Sequence, residues 1–164
     1  MSGPRTLRMV RQLAASREAV FRAWTDPTEL AWFADGPPRT PTTVDLRVGG
    51  AWRLHMVQSD EREYMTGGVY REIVAPERLR FSWGAVDGWP ALDPDDLDTV
   101  PTITVELSEV DGGTAMAVTV EFPDRFSDSD VQVWFGWGIR EGWAHTIDRL
   151  GPYLSATHHE ARSE

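Results

Sequence analysis

Cysteine and lysine are both missing from the 164 residues. Without cysteine there is no disulfide framework, no thiol nucleophile and no cysteine-based zinc site. Without lysine there is no Schiff-base chemistry and no lysine to reach the phosphates of a P-loop ligand. Positive charge is scarce in general. Sixteen basic residues, all arginine, face 26 acidic ones, for a formal net charge of −10. The arginines are scattered rather than grouped, so the chain repels a phosphate backbone and nucleic acid is excluded as a partner. No apolar run has the length of a signal peptide or a membrane span. That points to a cytoplasmic protein that does not enter membranes. Repeats and low-complexity segments are absent. No G-x-S-x-G elbow, H-E-x-x-H pair or G-x-G-x-x-G phosphate loop occurs.

What is present suits one soluble domain: 41% hydrophobic and 26% charged residues in a chain long enough for a real core. "RTLRMVRQL" alternates apolar Leu7 and Met9 with polar neighbours, as a half-buried strand does. In "AASREAVFRAWTDPTEL", Ser16 is placed to cap a helix whose buried face carries Val20, Phe21 and Trp24. Asp26-Pro27 ends it, and "TELAWF" makes a second short helical turn. After the loop "DGPPRTP", strand signals follow one another. "TTVDLRV" turns at Gly49-Gly50 into "AWRLHMVQ", where Trp52, Leu54 and Met56 share one face and Arg53 and His55 the other. "EYMTGGVYREI" and "RLRFSWGAV" flank a turn at "VAPE". "TITVELSEV" and "TAMAVTVEF" flank Asp111-Gly112-Gly113, a hairpin signal. Phe81 alternates with Leu79 and Trp83, Val105 with Ile103 and Leu107, and Val118 and Val120 with Met116 and Phe122. One apolar face per strand predicts an antiparallel sheet covered on one side.

The cover is the C-terminal segment. Ile139, Trp143, Ile147, Leu150 and Leu154 recur at spacings of four, four, three and four, forming one helical stripe. Ser127 and Asp130 form a capping box for its start. Two Gly-Trp pairs, Gly136-Trp137 and Gly142-Trp143, stand in this segment. Either glycine could admit a close backbone or a bend. Trp137 lies roughly 160° around the helix from Ile139. It is therefore off the stripe, either covered by residues 123–131 or exposed as the surface of a weak homodimer.

The order of these elements, with "REAVFRAWTDPTELAWF", "VDLRVGGAWRLHM", "GGVYREIVAPERLRFSW", "DGGTAMAVTVEF" and "GWAHTIDRLGPYL", resembles the START-like (SRPBCC) helix-grip superfamily. Within it the chain is similar to proteins related to the C-terminal domain of the activator of heat-shock-protein-90 ATPase. The resemblance implies an α+β helix-grip fold over residues 1–155, followed by a polar tail at 156–164. Its curved antiparallel sheet has about seven strands, two short helices after the first strand and a long C-terminal helix across the concave face. It also implies a cavity between sheet and helix for a small, largely apolar or aromatic molecule, with no cofactor. Two alternatives accompany it: a cyclase- or hydrolase-type enzyme acting on an aromatic or polyketide-like substrate in the same cavity, and a co-chaperone-like interaction module.

The inward strand positions and the helical stripe give the cavity candidates. They are Trp52, Leu54 and Met56, then Tyr70, Phe81 and Trp83, then Val105, Val118 and Val120, with Ile139, Trp143 and Ile147 on the helix. Glu72 shares strand parity with Tyr70. The pair would be the polar chemistry of such a cavity if both pointed in, since a buried carboxylate is a raised-pKa acid or base. No catalytic residue and no metal ligand is assigned. His55 alternates away from the core and is expected in solvent, and His145 falls off the stripe. His158 and His159 belong to the tail. The four aspartates of "DPDDLD" lack the loop spacing and turn glycine of an EF-hand. With Asp87 and Trp89 they could instead form a lid.

Overall fold

A computed structural model describes residues 5–34, 36–57 and 59–162, with side chains as far as residue 156. The strands are β1 (Thr6–Leu13), β2 (Thr43–Val44), β3 (Ala51–Val57), β4 (Glu63–Val74), β5 (Arg78–Trp83), β6 (Thr102–Val110) and β7 (Gly113–Glu121). They form one curved sheet in the order β1-β7-β6-β5-β4-β3-β2, antiparallel throughout. The first and second strands therefore occupy opposite edges. Helix α1 (Arg17–Thr25) and a 3₁₀ turn at Leu30–Phe33 carry the chain between them. Ser16 caps α1 by accepting the Ala19 N–H at 3.1 Å, and the chain leaves the helix at Asp26. The second strand is shorter than "TTVDLRV" suggests. Residues 45–50 turn back on themselves, with Gly50 N–H bonded to the Arg47 carbonyl at 2.8 Å.

Register follows the alternation. Val105 faces Val118, Ile103 faces Val120, and Trp52, Phe81, Val105 and Val118 are all buried on the concave side. Arg53, Arg80 and Thr104 alternate to the other face. A one-residue slip would reverse every one of these positions, so burial of one face fixes the pairing.

The C-terminal stripe crosses the concave side, but as three segments: α2 (Asp128–Gly136), α3 (Ile139–Ile147) and α4 (Leu150–Arg162). The Ser127–Asp130 capping box starts α2, with bonds of 3.1 and 2.9 Å. The first break is at neither of the glycines expected to bend the helix. It falls at Gly138, whose φ of +84° places it in the left-handed region that glycine alone adopts at little cost. At Gly136 and Gly142 an added Cβ would meet nothing within 4 Å, so neither serves a close approach. The second break is the turn at Asp148–Arg149, where the Arg149 N–H reaches back to the Thr146 carbonyl at 3.1 Å. Ile139, Trp143, Ile147, Leu150 and Leu154 stay buried across it. α4 is the longest of the three and its backbone continues through Arg162; the side chains of His158 and His159 lie outside the described residues.

Candidate functional site

Between the β3–β5 end of the sheet and the α2–α3 segments lies a cavity of about 250 Å³. Its sheet side is Met56, Tyr64, Thr66 and Trp83. Phe33 closes one side from the 3₁₀ turn. Trp134, Ile139 and Trp143 face the sheet from the helices, and Trp89 and Trp137 stand at the mouth. The indoles touch one another edge-on or tilted. Trp83 meets Trp143 at 5.1 Å between ring centroids and Trp89 at 5.2 Å, while Phe33 meets Trp143 at 5.5 Å. Such contacts make a stiff wall, because each ring is held by the quadrupole of the next. A larger surface groove of about 690 Å³ beside Ser16 and the β6–β7 turn has no aromatic residue in its lining.

Each ring is placed by its element. Trp83 ends β5 and donates its indole N–H to Thr66 Oγ1 at 3.1 Å. Trp89 belongs to the long loop after β5 and is anchored by its backbone N–H on the Met65 carbonyl at 2.8 Å. Trp143 sits mid-helix in α3 and is buried, yet its Nε1 has no hydrogen-bond partner. That differs from Trp32, which donates to the Ala23 carbonyl at 2.7 Å. Gly142 also lines the cavity, and the space its side chain would fill is open.

Of the residues expected at the cavity, the structure brings Met56, Trp83, Ile139 and Trp143 together there. Trp52, Leu54, Tyr70, Phe81, Val105, Val118, Val120 and Ile147 pack in the core instead, none more than 3% exposed. For the strand residues the difference is position along the sheet, whose concave face they share with the cavity walls; Ile147 lies one helical turn beyond Trp143 in α3.

Glu72 is a correction. A β-bulge between Tyr70 and Glu72 shifts the parity, so that Ile73 continues the inward face and Glu72 pairs outward beside Arg80. Its carboxylate meets Arg78 at 3.0 Å on the surface. A bulge inserts one residue into a strand, which no alternation rule can foresee. Tyr70 itself is buried with its hydroxyl unpartnered. Burial, and then the charge of Asp45, push its phenol above the ordinary value, so it stays neutral.

His55 is a second correction. It is 5% exposed, not in solvent. The Arg39 backbone N–H donates to its Nδ1 at 3.0 Å, and its Nε2 faces Glu63 Oε1 at 3.5 Å. The loop before β2 folds over this side of β3, and Arg39 ties it to Glu63 at 2.6 Å. Trp137 is 62% exposed, uncovered by residues 123–131. Two aspartates of the acidic loop have protein partners: Asp93 accepts from the Asp95 N–H of its own turn at 2.9 Å, and Asp96 ties the loop to Arg125 at 2.7 Å.

Phe33, Tyr64, Thr66, Trp134 and Arg149 line the cavity without having been singled out in the sequence. Trp134 and Phe33 carried a detectable signal, being bulky aromatics beside recognised elements. Arg149 carried none, because a lone arginine in a helical pattern reads as solvated surface. At this end of the cavity, Arg149 donates through Nη1 to the Phe33 carbonyl at 2.6 Å, with His145 and Thr146 beside it.

A curved antiparallel sheet crossed on its concave side by a C-terminal helix, with two short helical pieces after the first strand, defines the START-like helix-grip class. Residues 14–155 match the family described as Activator of Hsp90 ATPase homolog 1-like protein, and the chain belongs to that family. Solved structures agree. A Mycobacterium smegmatis protein is 26% identical with a TM-score of 0.71, covering 94% of this chain and 93% of its own. A Nitrosomonas europaea protein is 25% identical with a TM-score of 0.72, over 93% and 95% of the two chains. The AHSA1-like protein from Aeromonas hydrophila, at 22% identity and a TM-score of 0.65 over 93% and 94%, shares the fold. No curated protein matches the chain. No helix among the described residues is long and apolar enough to cross a membrane.

Proposed function

We propose that this protein binds a small, largely apolar or aromatic molecule in the cavity between the sheet and the C-terminal helices. The observation that carries the reading is the unfilled space of about 250 Å³ walled by Trp83, Trp134, Trp143 and Met56. Its helical edge is open as well: Gly142 is solvent-exposed, and an added Cβ there would meet nothing within 4 Å. A space walled by indoles and by a methionine that adapts its shape suits a ligand better than it suits packing. The enzyme alternative loses its acid–base pair, since Tyr70 is locked in the core and Glu72 is on the outer face. The exposed indole of Trp137 supports a separate reading, a weak homodimer, which sedimentation at rising concentration tests; a strict monomer would end it. The binding reading is tested by titrating one- and two-ring aromatic compounds into the protein and asking for saturable, one-to-one binding.

A further inference from the structure

We infer that the ligand of this cavity is an uncharged aromatic compound carrying a carbonyl oxygen, which accepts a hydrogen bond from the Trp143 indole N–H; this rests on the binding reading above. The first observation is Trp143 itself. It is 3% exposed, and its Nε1 is sheltered from water without having gained a hydrogen-bond partner. Such a donor has lost its hydration with nothing in return, which protein interiors avoid. This chain elsewhere supplies an acceptor to a buried indole. Trp32 donates to the Ala23 carbonyl at 2.7 Å, Trp24 to the Met116 sulfur at 3.4 Å and Trp83 to Thr66 at 3.1 Å. Around Trp143 stand the rings of Phe33 and Trp83, and a ring face takes an N–H only weakly. Because Trp143 is a wall of the cavity, an oxygen on the occupant would be its acceptor.

The second observation is that the lining as a whole offers donors. Five indoles line the cavity, and an indole nitrogen donates only. Among the described residues, Trp83 alone of the five has a protein acceptor for it. That acceptor, Thr66, is 1% exposed and has no described acceptor for its own hydroxyl hydrogen. A carbonyl oxygen has two lone pairs and no hydrogen, so it suits such a wall. A hydrocarbon would leave the donors as they are.

The surroundings favour a neutral carbonyl over a carboxylate. The chain carries a net charge of −10, and Glu63 and Glu141 stand at the cavity's edge. They oppose an anion at the mouth. At about 250 Å³, the space falls below that of drug-sized pockets and suits one ring or two fused rings.

The test uses two probes of nearly one shape, 2-acetonaphthone and 2-isopropenylnaphthalene, in which a methylene replaces the carbonyl oxygen. Both are titrated into the full chain, wild type and Trp143→Phe, and followed by tryptophan fluorescence. Water holds the ketone more strongly, yet the wild type should bind it at least as tightly as the alkene. Trp143→Phe should weaken the ketone about three- to tenfold relative to the alkene, the worth of one hydrogen bond. In a proton–nitrogen correlation spectrum of the indoles, the Trp143 N–H resonance should move downfield with the ketone and not with the alkene. That spectrum decides the matter if the phenylalanine variant does not fold. An unchanged affinity ratio in a folded Trp143→Phe, or the same indole shift with both probes, overturns the carbonyl inference and leaves the binding reading standing. Failure of both probes to bind overturns both.

Discussion

Trp83 from the sheet and Trp143 from the helix that crosses it meet edge to face, their centroids 5.1 Å apart and their planes at 76°. That contact joins the two layers of the fold at the cavity. Trp143→Ala should cost about 3–5 kcal/mol of stability, the range for removing a large buried aromatic. Trp143→Phe should cost less, because it keeps a ring and removes an indole N–H that has no partner. Urea unfolding of both variants checks the order.

The glycines of the C-terminal segment should separate by backbone geometry. Gly138→Ala puts a Cβ at φ +84° and should destabilise by about 1 kcal/mol or more. Gly142→Ala puts one into open space within a helix and should stabilise by up to about 1 kcal/mol. Thermal melts with opposite shifts support this; a destabilised Gly142→Ala would show that the site is tighter than its geometry.

Tyr70 should make stability sensitive to alkali. Its phenol is raised by burial from 10.0, the ordinary value. At neutral pH it is protonated in both folded and unfolded chains and contributes no slope. Above about pH 10 the unfolded chain releases this proton and the folded chain keeps it. Stability then falls as pH rises, by up to about 1.4 kcal/mol per unit from this group. Tyr70→Phe should flatten that part of the profile without losing a hydrogen bond, as the hydroxyl has none.

Glu72→Gln should leave ligand binding unchanged, because the carboxylate is on the outer face with Arg78. Both side chains are well exposed, so the loss in stability should stay below about 1 kcal/mol. A large loss of binding in this variant would restore Glu72 to the cavity.

The sequence showed the fold through its periodicities. The alternation placing Trp52, Phe81, Val105 and Val118 inward, and the stripe from Ile139 to Leu154, report burial directly because burial on one face is what selects them. The cavity was less legible. Met56 and Trp83 have the same alternation as Leu54 and Phe81, and only their place along the sheet makes the first two wall and the last two core. Glu72 was misplaced by a single inserted residue, and His55 by a loop that returns over β3 from sixteen positions earlier. Arg149 became visible only when the α3–α4 turn set it beside Phe33. These are tertiary events, and no local pattern carries them.

The most direct test of the central claim asks whether the cavity takes a ligand at all. Calorimetric titration of 2-naphthoate and 2-naphthamide into the wild type is the measurement, with Gly142→Leu, which sets a bulky side chain at the exposed helical edge of the cavity, as a second arm. If the cavity is a ligand site, the wild type binds at least one probe saturably and one-to-one, and the variant, still folded by its thermal melt, binds it more weakly. Absence of saturable binding of both probes in the wild type would contradict it.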